Sequence, residues 1–479
     1  MEIFEALSYD DVLLQPGYAD FLPSETDISL QLFENVKLNA PILSAAMDTV
    51  TEEKMAIALA LNGGAGVIHR NLTPEVQAKQ IFAVKRYLNW VIDNPITVLD
   101  TMTVGDVRHI ISKEGVSGLP VLHEDGTLVG IITHRDIMFC NDDSVKVTDR
   151  MTKEVITEEG DPSPQSAVEK FHQYKIEKLP VVDHQNRLTG LITVKDMEKH
   201  QRYPNAATDK KGRLIVGAAI SPMDWKKRMP LLMEAGVDFV SIDAAHGDSR
   251  NVIQAVSDIK KMYNIPVIGG NVVTAEGTRR LCEAGADAVK VGVGPGSICT
   301  TRIIAGIGMP QFSAVLICAE EAKKYNVPVI ADGGIKFSGD IVKAIGAGAS
   351  CVMLGNLLAG LKESPGKEVI YEGRMFKQYR GMGSIGAINE GSGDRYQMKE
   401  GDQPVPEGIE GNVPYKGELK DFLLQLTTGL KKGMGYCGCR NIDSLKNYRK
   451  FVRISGAGLQ ESHAHDVLIT QEAPNYSRR

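Results

Sequence analysis

This 479-residue chain has no basic excess, and tryptophan, cysteine and long apolar runs are scarce in it; these absences exclude classes of protein. With 54 Lys and Arg against 60 Asp and Glu, the formal net charge of -6 leaves no basic excess for a nucleic-acid backbone, so any anion must be held by local geometry. No stretch reaches membrane-spanning length without charges or turn residues. The acidic opening MEIFEALSYDDVLL lacks the basic-then-apolar order of a secretory signal, so a cytoplasmic protein with no membrane partner is expected. Seven cysteines (Cys140, Cys282, Cys299, Cys318, Cys351, Cys437, Cys439) are too sparse for a disulfide framework. Cys437 and Cys439 are spaced C-x-C with no second pair or histidine cluster beside them, a poor match to zinc, and most of the thiols read as core packing.

Glycine, by contrast, is plentiful, and it punctuates a rhythm. From residue 213 onward short β-branched runs alternate with helical patterns: LIVGAAI (214–220), DFVSIDAAHG (238–247), PVIGGNVVT (266–274), AVKVGVGPGSIC (288–299), PVIADGGIK (328–336) and CVMLGNLLAG (351–360). Two more runs, PILSAAMDTV (41–50) and AGVIHRN (65–71), lie upstream and bracket the helical EEKMAIALALNGG. Together they make the eight strands that close a (β/α)₈ TIM barrel, an α/β fold.

A block between the second and third strands breaks the rhythm and contains a repeat. GLPVLHEDGTLVGIITHRDI (118–137) aligns without gaps on KLPVVDHQNRLTGLITVKDM (178–197), which reads as duplication of a compact unit. The predicted organisation is a barrel built from 1–91 and 205–479, with inserted units at 92–148 and 149–204. Each copy reads as strand, turn, strand and helix, and resembles a cystathionine-β-synthase-type (CBS) domain. That resemblance implies a tandem pair able to hold nucleotides, with Thr133, Asp136, Thr193 and Asp196 as candidate contacts. On the residues alone, Thr-x-x-Asp is equally a helix cap.

The densest chemistry lies in GVGPGSICTTRIIAGIGMPQ (292–311), after the strand-like AVKV. Gly292, Gly294 and Gly296 at alternate positions allow a sharp turn that presents backbone N–H and C=O groups, with Ser297 and Cys299 projecting from it. A cysteine at the carboxyl end of a barrel strand stands where catalytic groups sit, and a thiolate there could attack an electrophilic carbon, although a buried core thiol is the competing reading. In ADGGIKFSGD, Asp332 ends the seventh strand, where its carboxylate can accept from two ribose hydroxyls, and Gly333 and Gly334 let the backbone approach a phosphate. Gly355 and Asn356 end the eighth strand and open a helix, the usual phosphate position in such barrels. A phosphorylated ligand is expected.

The strings SAAMDTVTE, IDAAHG, GNVVT, GPGSICTTR, ADGGI, QYRGMGS, GSGDRY, VPEGIEGNVPYKG and GMGYCG occur in this order. With the inserted repeat, they resemble the inosine-5'-monophosphate (IMP) dehydrogenase / GMP reductase family, and its dehydrogenase branch in particular, over essentially the full length. The resemblance implies that Cys299 attacks C2 of IMP, that hydride passes to NAD, and that a covalent thioimidate to XMP is then hydrolysed, the committed step of guanine nucleotide synthesis. It implies that Asp243 and Asn271, with Gly292 and Gly294, face the dinucleotide. It places Arg395 and Tyr396 on a mobile flap that activates water with help from Thr301. It assigns Glu407 to the hypoxanthine edge, Tyr379, Gly381, Met382, Gly383 and Ser384 to phosphate and base, and Ala45 and Met47 to the wall beneath them. It further implies a potassium ion on carbonyls of Gly294, Gly296 and Cys299, completed by Glu461, Ser462 and His463 of a neighbouring subunit. A homotetramer follows, possible octamers through the CBS pair, and adenine or guanine nucleotides as regulators. Asn356 replaces a usual serine, and Ala244 and Asp248 replace a usual threonine and histidine, which puts phosphate contact and cofactor affinity in question. Two rivals stand beside this reading: a GMP reductase, which needs no hydrolytic flap, and a nucleotide-sensing scaffold with an inactive barrel.

Overall fold

The structure is a computed structural model that describes residues 3–93, 95–160, 162–393, 405–471 and 473–476. It divides into two compact units: residues 1–87, 205–209 and 214–479 form one, and residues 88–204 with 210–213 the other. No helix among the described residues is long and apolar enough to cross a membrane.

The first unit is a closed barrel of eight parallel strands: β1 (Ile42–Ser44), β2 (Ala65–Ile68), β3 (Val216–Ile220), β4 (Phe239–Ile242), β5 (Val267–Val272), β6 (Ala288–Val291), β7 (Val329–Asp332) and β8 (Cys351–Leu354), with β8 returning to pair with β1. Each lies inside one of the eight runs named from the sequence. The covering helices are α1 (Glu53–Leu61), α2 (Pro74–Tyr87), α3 (Trp225–Glu234), α4 (Arg250–Met262), α5 (Ala275–Glu283), α6 (Gln311–Lys323), α7 (Ser338–Gly346) and α8 (Leu419–Cys437). In α4, Val252, Ala255, Val256 and Ile259 are buried, the i, i+3, i+4, i+7 stripe of an amphipathic helix. Helix α5 starts where the Thr274 hydroxyl accepts from the Gly277 N–H, satisfying a donor that the helix itself cannot.

Side-chain alternation along the strands layers the barrel. Phe239, Ile268, Ala288, Ile330 and Cys351 belong to one apolar cluster inside it. A hairpin of Leu30–Phe33 and Val36–Leu38 caps that cluster, with the Phe33 and Phe239 rings 5.8 Å apart. Gly217 on β3 makes room: a Cβ there would lie 2.3 Å from the Phe239 ring. Two residues further along the strands, toward the carboxyl ends, stand Ser241, Gly270, Lys290, Asp332 and Met353. The period of two thus converts an apolar floor into a largely polar layer.

The second unit repeats itself in space as in sequence. Gly118–Leu122 pairs antiparallel with Leu128–Thr133, and Lys178–Val182 with Leu188–Thr193, in matching registers (Pro120 opposite Ile131, Pro180 opposite Leu191). The two copies exchange flanking segments. Ile92–Asp93 pairs with the second copy's Leu188–Thr193, and Trp90 packs in the second copy's core, whereas Thr152 bridges to Ile131 and Met151 packs in the first copy's core. The repeat boundaries at 92, 148 and 149 therefore do not coincide with the packing boundaries. Sequence similarity ends at the repeated hairpin and helix, and nothing in it reveals which sheet a flanking strand joins. Thr133 and Thr193 stand at the N-caps of the helices His134–Ile137 and Val194–Gln201, and Asp136 and Asp196 accept from their hydroxyls (2.8 and 2.6 Å), so each Thr-x-x-Asp closes a helix start.

Candidate active site

The polar layer opens into a cavity of about 360 Å³ at the carboxyl ends of the strands. Its lining gathers residues from across the sequence: Ala45 and Met47 after β1, Asp243 after β4, Asn271 in β5, Gly292, Gly294, Gly296, Ser297, Cys299 and Thr301 after β6, Asp332, Gly333 and Gly334 at the end of β7, Gly355 and Asn356 after β8, then Tyr379, Gly381, Met382, Gly383 and Glu407.

The cysteine loop is held from several sides. Arg302 donates through Nε to the Val293 carbonyl (3.2 Å) and through a second nitrogen to that of Met309. The Cys299 N–H closes a turn onto the Gly296 carbonyl (3.1 Å), and the N–H groups of Thr300 and Ile409 donate to the carbonyls of Glu407 and Ile298. Cys299 Sγ donates to Thr301 Oγ1 (3.2 Å), whose own hydroxyl donates to Glu407 Oε2 (2.7 Å). A thiol, a hydroxyl and a carboxylate thus form one chain along which a proton can leave sulfur. All seven cysteines are unpaired. Burial pushes the thiols of Cys318 and Cys351 up to about 12 and those of Cys282 and Cys437 to about 11, as expected of packing residues; Cys299 is half-buried and faces the cavity.

Asp332 sits in a second network. Asn271 Nδ2 donates to its carboxylate (2.8 Å) and to the Gly292 carbonyl (2.9 Å), while the ammonium of Lys290, a residue 4% exposed, lies 3.3 Å from Asp332 and donates to Asn271 Oδ1. Gly333 and Gly334 follow with φ of +89° and +79°, two consecutive left-handed residues that only glycine adopts without strain and that fold the backbone around the cavity. Tyr379 faces the same space, bonded to Ser297, and burial raises its phenol above the ordinary range. The Asp243 carboxylate pairs with Arg70 Nε at 3.4 Å, both side chains almost wholly buried, and α4 begins only at Arg250.

Some sequence-predicted residues stand elsewhere. Ser384 does not line the cavity; it is buried and its hydroxyl accepts from the Ala387 N–H. Glu461, Ser462 and His463 also lie off the lining, on or beside the helix Gly456–Ser462, with His463 Nδ1 3.1 Å from the Tyr476 hydroxyl. Ala244 is buried without lining the cavity, and Asp248 pairs with Arg280 at 2.6 Å. Arg395 and Tyr396 fall outside the described residues. Conversely, sequence reasoning passed over Lys290, Arg302 and Gln311, the last donating to the carbonyls of Val291 and Asp332. A charged residue at every-second spacing from Ala288 within an apolar strand was the available signal for Lys290.

Comparison with known proteins gives this arrangement its family. The model of the IMP dehydrogenase / GMP reductase domain matches residues 6–465. The chain belongs to the IMP dehydrogenase / GMP reductase family. Inosine-5'-monophosphate dehydrogenases are among its relatives: that of Halalkalibacterium halodurans is 54% identical over 99% of this chain and 98% of its own length, that of Aquifex aeolicus 53% over the same shares, and that of Bacillus subtilis 52% over the same shares. Among solved family structures, a GMP reductase from Trypanosoma brucei in complex with guanosine 5'-monophosphate superposes with a TM-score of 0.82 at 38% identity, covering 97% of this chain and 99% of that one.

Proposed function

We propose that the chain is an NAD-dependent dehydrogenase that converts IMP to XMP in guanine nucleotide synthesis. The observation that carries this reading is the position of Cys299: on the loop after β6, facing one cavity with Asp332 and the glycine turns of β7 and β8, in a chain whose full-length relatives at 52–54% identity are IMP dehydrogenases.

The 5'-phosphate is held by the backbone at Gly333, Gly334, Gly355 and Asn356 with Ser297 and Tyr379, and the ribose hydroxyls donate to Asp332. Ala45 and Met47 support the ring from below, and Gly381–Gly383 with Glu407 border it. Cys299 loses its proton through Thr301 toward Glu407, and the thiolate adds to C2 of the purine across a ring C=N bond, whose electron pair passes to the ring nitrogen and re-forms the double bond as C2 releases hydride. Bound NAD supplies the acceptor for the hydride that C2 then gives up. Asp243 and Asn271, with the backbone at Gly292 and Gly294, present buried polar groups on the side of the cavity where a nicotinamide riboside fits. Water then attacks C2 and the Cys299 sulfur departs as thiolate, leaving XMP. Arg395 and Tyr396 act on that water with Thr301.

Backbone carbonyls of Gly294 and Gly296 in a tight loop fit a weakly hydrated monovalent cation such as potassium. Among the described residues, no three His, Cys, Asp or Glu side chains converge as a metal-ion ligand set. Glu461, Ser462 and His463 complete the potassium site across a subunit boundary in a cytoplasmic homotetramer. The unit of residues 88–204 is a CBS pair that takes adenine or guanine nucleotides near Thr133, Asp136, Thr193 and Asp196 and supports octamers.

GMP reductase is the second reading, favoured by the Trypanosoma brucei neighbour. Enzyme quenched while oxidising IMP should yield a Cys299 peptide heavier by an XMP adduct on mass spectrometry. Turnover with no such adduct would remove Cys299 from the chemistry. Oxidation of NADPH with GMP, and no NADH from IMP, would transfer the chain to the reductase reading.

A further inference from the structure

Behind the cavity wall lies an ion pair that none of this chemistry uses. Met47 and Tyr379 face the cavity, with the Tyr379 hydroxyl 3.9 Å from Met47 Sδ. Their neighbours in sequence, Asp48 and Arg380, turn the other way and meet each other. Arg380 Nε lies 3.1 Å from both Asp48 carboxylate oxygens and Nη2 2.7 Å from Oδ2, a two-nitrogen fork across one carboxylate. The side chains are 13% and 6% exposed. The contact is built up on both sides: the Arg380 N–H donates to Thr49 Oγ1 (3.2 Å), Asn71 Nδ2 donates to Asp48 (2.9 Å), and Nη2 of Arg380 also reaches the exposed carboxylate of Glu390. The hydrogen bonds to Asp48, ahead of all other influences, raise the guanidinium pKa further above its ordinary value.

Arg380 belongs to the strand Arg374–Arg380, which pairs with Glu410–Pro414 and belongs to no part of the barrel sheet. Nothing in the barrel ladder therefore fixes the spacing between the β1 loop and the segment Tyr379–Gly383. A buried fork with defined geometry can fix it, because the planar guanidinium and carboxylate admit few relative orientations.

We infer, on the reading of the site given above, that Asp48 and Arg380 are positioning residues that set the gap between Met47 and the Tyr379–Gly383 segment, and so the fit of the purine nucleotide. Neither side chain lines the cavity, so neither is a catalytic residue.

The test is a double-mutant cycle in the full chain: Asp48→Asn, Arg380→Gln and both together, with Arg380→Lys as the conservative variant, measuring KM for IMP, kcat, the first-turnover NADH burst and the thermal midpoint. Each single change should raise KM for IMP at least tenfold while kcat per burst-titrated site falls less than KM rises. The double variant should be no worse than the worse single, and Arg380→Lys should lie between wild type and Arg380→Gln. KM within twofold of wild type in the folded single variants, multiplicative effects in the double, or activity lost only in proportion to unfolded protein would each overturn the inference. If Arg380→Gln does not fold, Arg380→Lys and Asp48→Asn decide on the same KM criterion. A wild type that forms no NADH from IMP would remove the functional reading itself. A wild type that turns over beside unaffected variants would remove only this inference.

Discussion

Lys290 is a buried cation set against the cavity by nothing more than strand alternation, and its surroundings give it a task. Removing one member of a buried charge pair leaves the other uncompensated, and such losses are large compared with those at exposed pairs. In Lys290→Met the Asp332 carboxylate loses the ammonium 3.3 Å away and keeps the Asn271 amide, and Asn271 Oδ1 loses its Lys290 donor. We expect kcat/KM for IMP to fall about 100-fold, equivalent to about 2.7 kcal/mol of transition-state stabilisation; a value within threefold of wild type would reduce Lys290 to packing. The sulfur is tested more severely. Cys299→Ala should lower NADH formation at least ~10³-fold, the scale on which nucleophiles are lost, while IMP still raises the thermal midpoint because the phosphate and ribose contacts remain. If IMP no longer stabilises the variant, Cys299 contributes to binding rather than to bond formation alone. Cys299 was legible because a glycine loop after a strand advertises a site. Lys290 was not, since one lysine in AVKV looks like a strand residue at a sheet edge until the barrel closes around it.

At the scale of elements, legibility follows the range of the interactions. Every barrel strand announced itself through a short local apolar run, and the Thr274 cap or the α4 stripe can be read within two turns of helix. The short sheet of Glu368–Tyr371, Arg374–Arg380 and Glu410–Pro414 could not be read in this way. Its pairing of Arg380 with Glu410 spans residues whose strings suggest loops, yet it brings Tyr379 and Glu407 to the cavity that holds the cysteine. The exchange of flanking strands between the two repeats was hidden for the same reason. In sequence, Asp394, Arg395 and Tyr396 of the GSGDRY string follow the strand Arg374–Arg380 and precede Glu410–Pro414. If Arg395 activates the hydrolytic water, Arg395→Ala should release one NADH per Cys299 site in the first turnover and then slow by roughly 10²–10⁴-fold, the usual contribution of a general base. Rapid-quench measurement of the burst checks this. Steady turnover equal to wild type would take the arginine out of the mechanism and leave Thr301 and Glu407 as the route for the proton.

For the whole molecule, the division into two units makes a claim about independence. The barrel unit resumes at Asn205 without help from the insertion: the Asn39 amide donates to the Asn205 carbonyl (3.1 Å), the Ala207 N–H donates to the Ala60 carbonyl (2.8 Å), and Lys85 of α2 pairs with Asp209 at 3.0 Å and with Asp238 at 2.8 Å. These contacts tie residues on either side of the excursion into one core, so both chain ends are fixed within the barrel unit itself. The cut belongs at 88 and 204 rather than at the repeat boundary, because Trp90 packs in the second copy's core and against Gly212, where a Cβ would lie 2.0 Å from its ring. Leaving Trp90 behind would expose a large apolar side chain. Replacing residues 88–204 by a short glycine-serine linker should therefore give a folded enzyme whose kcat and KM for IMP stay within about threefold of the full chain, since loop closure over so short a connection costs little. Any response to adenine or guanine nucleotides should disappear with the insertion. A linker variant that folds by circular dichroism yet forms no NADH would mean that the insertion acts on the barrel through more than its attachment.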